Sequence, residues 1–263
     1  VISFLLPPIF LPIMISVLSM VAVHEVLWST GFVKDLRIST LSILLAGVIP
    51  FWVFIGEGMR SALVGIFLYF LLTFLVAISS HYTVTLEKMG GSFFFSMLIP
   101  YFLSSFVRLD DLSLGKYLIL IPLVAAFTSD AFALFAGMAF GKHKLAPIVS
   151  PHKTVEGAIG GIFGSVLVGV VLTLVYSFLS ASHNVITIQV RPRHYAILVV
   201  MGAIASVLGI LGDLFASSVK RQVGIKDYGT IFPGHGGILD RFDSVMFIAP
   251  FVSIAVRYFF YVL

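Results

Sequence analysis

The chain has 263 residues, of which 59% are hydrophobic and only 11% charged. Its mean hydropathy is +1.11; soluble domains carry roughly 25% charged residues, so this is an integral membrane protein. The absence of cysteine excludes disulfides, thiolate metal sites and cysteine nucleophiles, and the net charge of +4 sits in loops, where it fixes topology or holds phosphate rather than nucleic acid.

A spanning helix needs about 20 predominantly apolar residues, and eight stretches qualify, at roughly 2–28, 37–56, 60–80, 92–108, 114–140, 156–180, 194–219 and 243–263. Val1 is neither Met nor part of a basic leader, so a trimmed start is expected. The first stretch contains Pro7, Pro8 and Pro12 and should begin irregularly; His24 and Glu25 near its end read as interfacial. The fifth is long enough to tilt or protrude. It carries Asp130 near its middle, within FTSDAFALF. A carboxylate at that depth either hydrogen-bonds locally to Thr128 or Ser129 or lines a wet cavity. Between the fifth and sixth stretches lies SPHKTVEG, residues 150–157, in which Lys153 stands among the hydroxyls of Ser150 and Thr154 as a phosphate contact. The same Ser150, Thr154 and Glu156 would equally suit a helix start. His183 and His194 read as solvated loop residues.

Basic residues set the orientation. Lys34, Arg37, Lys88, Lys142, Lys144, Lys153, Lys220, Arg221, Lys226 and Arg241 follow the odd-numbered stretches, whereas Arg60, Arg108, Lys116, Arg191 and Arg193 follow the even-numbered ones. Ten against five places the first set in the cytoplasm. No internal repeat or low-complexity segment is visible.

The charge is concentrated in residues 213–243. Asp213, Lys220, Arg221, Lys226, Asp227, Asp240, Arg241 and Asp243 are eight of the chain's 16 basic and 12 acidic residues. Asp213, Ser217 and Lys220 share one face if the seventh helix continues through them. Asp213 is then either paired to Lys220 or Arg221 as a topology anchor or available for chemistry. Gly234, His235, Gly236 and Gly237 follow Pro233 as a small-residue turn able to present backbone N–H groups to an anion. Asp240 and Asp243 stand at i and i+3 at the start of the eighth helix with Arg241 between them, where Asp243 could also be a plain dipole partner. Asp213 and Asp240, from two helices, could together hold Mg²⁺, with substrate phosphates and water completing its octahedron.

The run Ser217-x-Val219-Lys220-Arg221, four residues, Lys226-Asp227-x-Gly229, two residues, Phe232-Pro233-x-His235-Gly236-Gly237-Ile238-x-Asp240-Arg241-Phe242-Asp243 resembles the full signature of the phosphatidate cytidylyltransferases, or CDP-diacylglycerol synthases. Ser150-Pro151-His152-Lys153-Thr154-Val155-Glu156-Gly157 is similar to the family's SPKKTxEG element, with His152 where a second lysine is common. Residues before about 110 match only in hydrophobic character, and the start looks shorter than in relatives.

The resemblance implies transfer of the cytidylyl group of CTP to phosphatidate, giving CDP-diacylglycerol and pyrophosphate. The lipid phosphate is the nucleophile, so the protein supplies positioning and charge stabilisation. Asp213 and Asp240 are then the expected ligands of Mg²⁺, with a second cation as an option. Lys220, Arg221, Lys226, Arg241 and Lys153 hold phosphates, and Asp227, His235 and Asp243 assist around metal, base or proton. Asp130, Ser150, Thr154, Ser217, Gly236 and Gly237 contact substrate. Implied partners are CTP, phosphatidate and membrane lipid, without nucleic acid; a homodimer follows only from the resemblance. The expected fold is an all-α polytopic membrane protein of about eight transmembrane helices with a cytoplasm-facing polar cavity, in the plasma membrane. A single catalytic domain spans 1–263, with N-terminal helices in 1–110 and catalytic helices and loops in 111–263. Two other readings stand beside it: a nucleotidyltransferase for another lipid phosphate, and a transporter in which Asp130 and Asp213 bind ions.

Overall fold

The structure is a computed structural model that describes residues 6–31, 35–56, 58–80, 84–112, 115–183, 192–234 and 236–262, without the side chains of 58–62, 172, 175–183, 192–194 and 260–262. His235 and the side chains of His183 and His194 therefore lie outside it.

Helices dominate. In chain order they are α1 (Phe10–Ser29), α2 (Leu36–Ile55), α3 (Gly58–Ser79), α4 (Leu86–Leu103), short α5 (Ser105–Asp110) and α6 (Gly115–Leu118), α7 (Leu120–Phe140), α8 (Val155–His183), α9 (Pro192–Gln222) and α10 (Leu239–Val256), closed by a π-helical turn over Arg257–Val262. α1 begins only at Phe10, which puts Pro12 in its first turn, where no intrahelical N–H is lost. α2 opens on Asp35, whose carboxylate accepts the Arg37 N–H at 2.9 Å, and α4 opens on Thr85, both ordinary N-caps.

Six of these segments, Phe10–Ser29, Leu36–Ile55, Leu86–Asp110, Gly115–Phe140, Tyr195–Gln222 and Leu239–Phe259, are long and apolar enough to cross a bilayer, while Leu63–Ser79 and Val155–Val171 are shorter apolar runs. The protein is thus an all-α multi-pass membrane protein. Its outside has the polarity of lipid. On α3, Phe67, Leu71, Phe74 and Ile78 form one exposed stripe of a kind soluble proteins avoid. The inside holds Val23, Val26 and Leu27 of α1 against Ile38, Ile99, Leu103, Ile248 and Val252. Polar groups are shared between helices there: the Tyr69 hydroxyl meets Ser42 at 3.0 Å and Ser92 at 3.3 Å.

The connection between α7 and α8 departs from the all-helical expectation. It is an antiparallel hairpin of β1 (Lys144–Ala146) and β2 (Ser150–Thr154), pairing Lys144 with Thr154 and Ala146 with Ser150. Pro147 and Pro151 break helical continuation, so the block expected to start a helix runs extended until Thr154. Its hydroxyl then accepts the Gly157 N–H at 3.1 Å and caps α8. α8 lies close against α7, because side chains at Gly160, Gly161 or Gly164 would run into Ala136, Ser129 or Phe132. This contact sets Asp130 of α7 beside the hairpin.

Candidate active site

α9 runs unbroken from Pro192 to Gln222, so Asp213, Ser217 and Lys220 do share a helix, and the Ser217 hydroxyl donates to Asp213 Oδ1 at 3.2 Å. Lys220 does not pair with Asp213. The cation at Asp213 Oδ2 is Lys153 of β2, and both side chains of that pair are about a quarter exposed, at 26% and 27%. They open onto a cleft of about 530 Å³ between α7, the hairpin, α8 and α9, also lined by Asp130, His152 and Thr154. The Thr128 hydroxyl bonds Val124 O and that of Ser129 bonds Ser206. Asp130 therefore faces the cleft rather than its neighbours' hydroxyls.

Lys220 pairs instead with Asp240, at 2.8 Å, with side chains only 10% and 4% exposed. The second Asp240 oxygen accepts the N–H groups of Tyr228 at 2.8 Å and Gly237 at 3.0 Å, and the Lys220 ammonium lies 5.4 Å from the Tyr228 ring centroid. The Tyr228 phenol donates to Ala216 O at 2.9 Å. Burial, and after it the Asp240 and Asp243 carboxylates, raise that phenol above the ordinary tyrosine range. The signature's first and last segments are thereby tied into one node.

Of the glycine turn's N–H groups, that of Gly237 is engaged within the protein, on Asp240. Gly234 and Gly236 take positive φ of 73° and 83°, which glycine alone adopts without strain, and Phe232 donates to Gly236 O at 3.0 Å. The next two N–H groups after Gly237, of Ile238 and Leu239, go to Glu25 of α1 at 3.0 and 2.9 Å. Reading the sequence missed this role for Glu25. The signal was present as a lone carboxylate in an apolar helix, which is costly unless it has work to do.

The remaining expected residues divide cleanly. Lys226, Asp227, Arg221 and Arg241 are exposed around the node, and Arg221 reaches the hairpin at Val149 O, 3.4 Å. Asp243 accepts its neighbour's N–H, from Ser244, at 2.7 Å. Asp213 lies within electrostatic reach of both Asp243 and Asp130. Ser150 is half-buried in the hairpin.

Among the described residues no three His, Asp or Glu side chains are grouped as a metal site. A divalent cation that also binds substrate phosphates needs fewer protein ligands. Asp213 fits it, with an oxygen that now meets only a lysine and with Asp130 and Asp243 nearby. Asp240 is less open to it, since its pair with Lys220 is nearly sealed and its second oxygen accepts two backbone N–H groups.

Residues 1–259 match the cytidylyltransferase family. Among curated relatives named phosphatidate cytidylyltransferase, that of Staphylococcus saprophyticus is 40% identical over 178 residues, 66% of this chain and 63% of its own length. That of Staphylococcus aureus (strain COL) is 44% identical over 140 residues, 53% of this chain and 49% of its own length. That of Bacillus subtilis is 32% identical over 251 residues, 91% of this chain and 86% of its own length. The matched stretch thus spans less than two thirds of the staphylococcal relatives.

Proposed function

Because the chain belongs to the cytidylyltransferase family, we propose that it joins CTP to phosphatidate, releasing pyrophosphate and leaving CDP-diacylglycerol in the membrane. The observation that carries this reading is the Lys153–Asp213 pair at the mouth of the cleft. It is a cation and an anion held together with partial exposure, so an incoming polyphosphate can take the lysine and free the carboxylate. A transporter reading leaves the two phosphate-friendly loops without a role.

An oxygen of the lipid phosphate forms a bond to the α-phosphorus of CTP as the bond from that phosphorus to the β-bridging oxygen breaks. The pyrophosphate leaves with the electron pair. A phosphate monoester is already largely ionised near neutral pH, so no general base is required. Lys153, Arg221, Lys226 and Arg241 bind and orient the phosphates from the hairpin, the end of α9 and the start of α10. Lys220, paired with Asp240, holds the ends of α9 and α10 together beneath them. Asp213, with Asp243 and Asp130 alongside, would hold Mg²⁺, which when bound would supply charge neutralisation on the triphosphate and the leaving group. Ser217 fixes the Asp213 carboxylate, and Thr154, Ser150, Gly236 and Gly237 shape the walls.

In this reading eight helices cross the plasma membrane and the cleft faces the cytoplasm, where CTP is. Single cysteines at Ala146 and Thr230 of the cysteine-free chain should react with an impermeant maleimide only from the cytoplasmic side. The activity is tested by incubating purified protein with labelled CTP, Mg²⁺ and phosphatidate. Label is expected in the organic phase, and only when CTP and phosphatidate are both present. Equal transfer from ATP or GTP would overturn the cytidine assignment.

A further inference from the structure

Glu25 is 5% exposed on α1, among neighbours Val23, Val26 and Leu27 that are fully buried. An apolar side chain would fill that space without desolvating a carboxylate, so its two oxygens must be compensated. They are, by the N–H groups of Ile238 and Leu239, 213 and 214 residues away in sequence. α10 needs such a partner. Ile238 stands at its cap position and has no capping side chain, while the first N–H groups of any helix lack intrahelical acceptors. Asp240 satisfies Gly237. Glu25 satisfies the next two, so three consecutive N–H groups are held by carboxylates from two helices.

A second, independent observation comes from the loop side. Gly229 and Gly237 both have φ outside the left-handed region, so backbone conformation does not demand glycine at either. What demands it is Glu25: a Cβ on either residue would run into its carboxylate. The two ends of the signature loop close around that one side chain. Resting on the cytidylyl-transfer reading above, we propose that Glu25 is a positioning residue for that reaction. It never reaches the cleft, and it fixes the loop and the first turn of α10 so that Asp240, Lys220 and Asp243 keep their places.

Glu25→Gln tests this, because it preserves size while setting an NH₂ against one of the two N–H donors. Purified full-length enzyme is assayed for CTP-to-phosphatidate transfer per folded molecule, melted in detergent, and followed by amide hydrogen exchange over 228–240. The expected result is a modest drop in melting temperature, a fall in kcat per folded molecule of about 10- to 100-fold and faster exchange confined to that segment. Gly229→Ala, which displaces the same carboxylate from the other side, should reproduce both effects and carries the test if Glu25→Gln does not fold. Wild-type turnover per folded molecule in Glu25→Gln, or in Gly229→Ala where that variant carries the test, overturns the proposal whether or not melting drops, because Glu25 would then serve stability alone. Unchanged exchange overturns it as well. Absence of transfer by the wild-type enzyme would instead sink the functional reading, and the exchange measurement would still decide whether Glu25 holds the loop.

Discussion

Two lysine–aspartate pairs stand near one another with the same chemistry and opposite circumstances. Lys153–Asp213 joins a hairpin to the C-terminal third of a long helix at the edge of a cleft, about a quarter exposed. Lys220–Asp240 joins two helix ends beneath a loop, nearly sealed, with two backbone N–H groups on the second carboxylate oxygen. A partly exposed pair is worth about 0–1 kcal/mol and is easily exchanged for another partner. A sealed one is costly to break, because removing one member strands the other. Identical residue types therefore divide the work: the open pair is available to substrate and the closed pair holds the frame.

The largest effect should come from breaking the closed pair. Asp240→Asn leaves Lys220 buried without its anion and should destabilise the enzyme by about 3–5 kcal/mol, seen as a lower melting temperature in detergent and less folded protein. A variant that melts like the wild type and is merely inactive would move Asp240 to the substrate side of the comparison.

Asp213→Asn is expected to do the reverse. The fold should tolerate it within about 1 kcal/mol, while transfer per folded molecule falls about 100-fold, near 3 kcal/mol, and needs more Mg²⁺. The double variant sharpens the contrast. If the two carboxylates have separate tasks their losses combine, one in stability and one in turnover. If they share one metal ion, turnover of the double variant is hardly below that of either single one.

Much of this division was hidden in the sequence for a physical reason. The apolar runs disclosed a multi-pass helical protein, with six helices long and apolar enough to cross a bilayer among the described residues, because hydropathy is a property of consecutive residues. The crowding of charge in 213–243 marked a segment that folds into one node around Lys220, Tyr228 and Asp240. What spacing could not disclose was who meets whom across helices. Asp213 was legible as a candidate, but its partner Lys153 lies 60 residues earlier on a hairpin that Pro147 and Pro151 force out of helical form. Asp240 was legible as a candidate too, but not its nearly sealed pairing with Lys220 and the two backbone N–H groups on its second oxygen. Glu25 stood out only as a lone carboxylate in an apolar helix, and its partners were hidden because both its bonds reach more than 200 residues along the chain.

Lys153→Gln probes the open pair from its other side and should cost less than Asp213→Asn, because neighbouring cations share the phosphates. A loss of about 1.5–3 kcal/mol of charge-assisted interaction, or roughly 10- to 100-fold in kcat/KM, is expected with unchanged melting. Lys220→Gln should instead lower the melting temperature. Equal behaviour of the two lysine variants would erase the distinction between the pairs.

The smallest effect tests how closed the second pair is. Tyr228→Phe removes one buried hydrogen bond, to Ala216 O, and should cost about 1 kcal/mol near neutral pH. The phenol also supplies a pH signature. Its folded value lies above the ordinary 10.0, chiefly through burial and then through Asp240 and Asp243, so above pH 10 the unfolded chain sheds a proton that the folded enzyme keeps. That contribution to stability is complete below about pH 10 and is lost as the pH rises through the folded value. The wild-type enzyme should therefore lose stability faster than Tyr228→Phe on the alkaline side, and the difference between the two melting curves isolates the phenol. Parallel curves would mean that water reaches Tyr228, and with it the Lys220–Asp240 pair, which would make the closed pair as exchangeable as the open one.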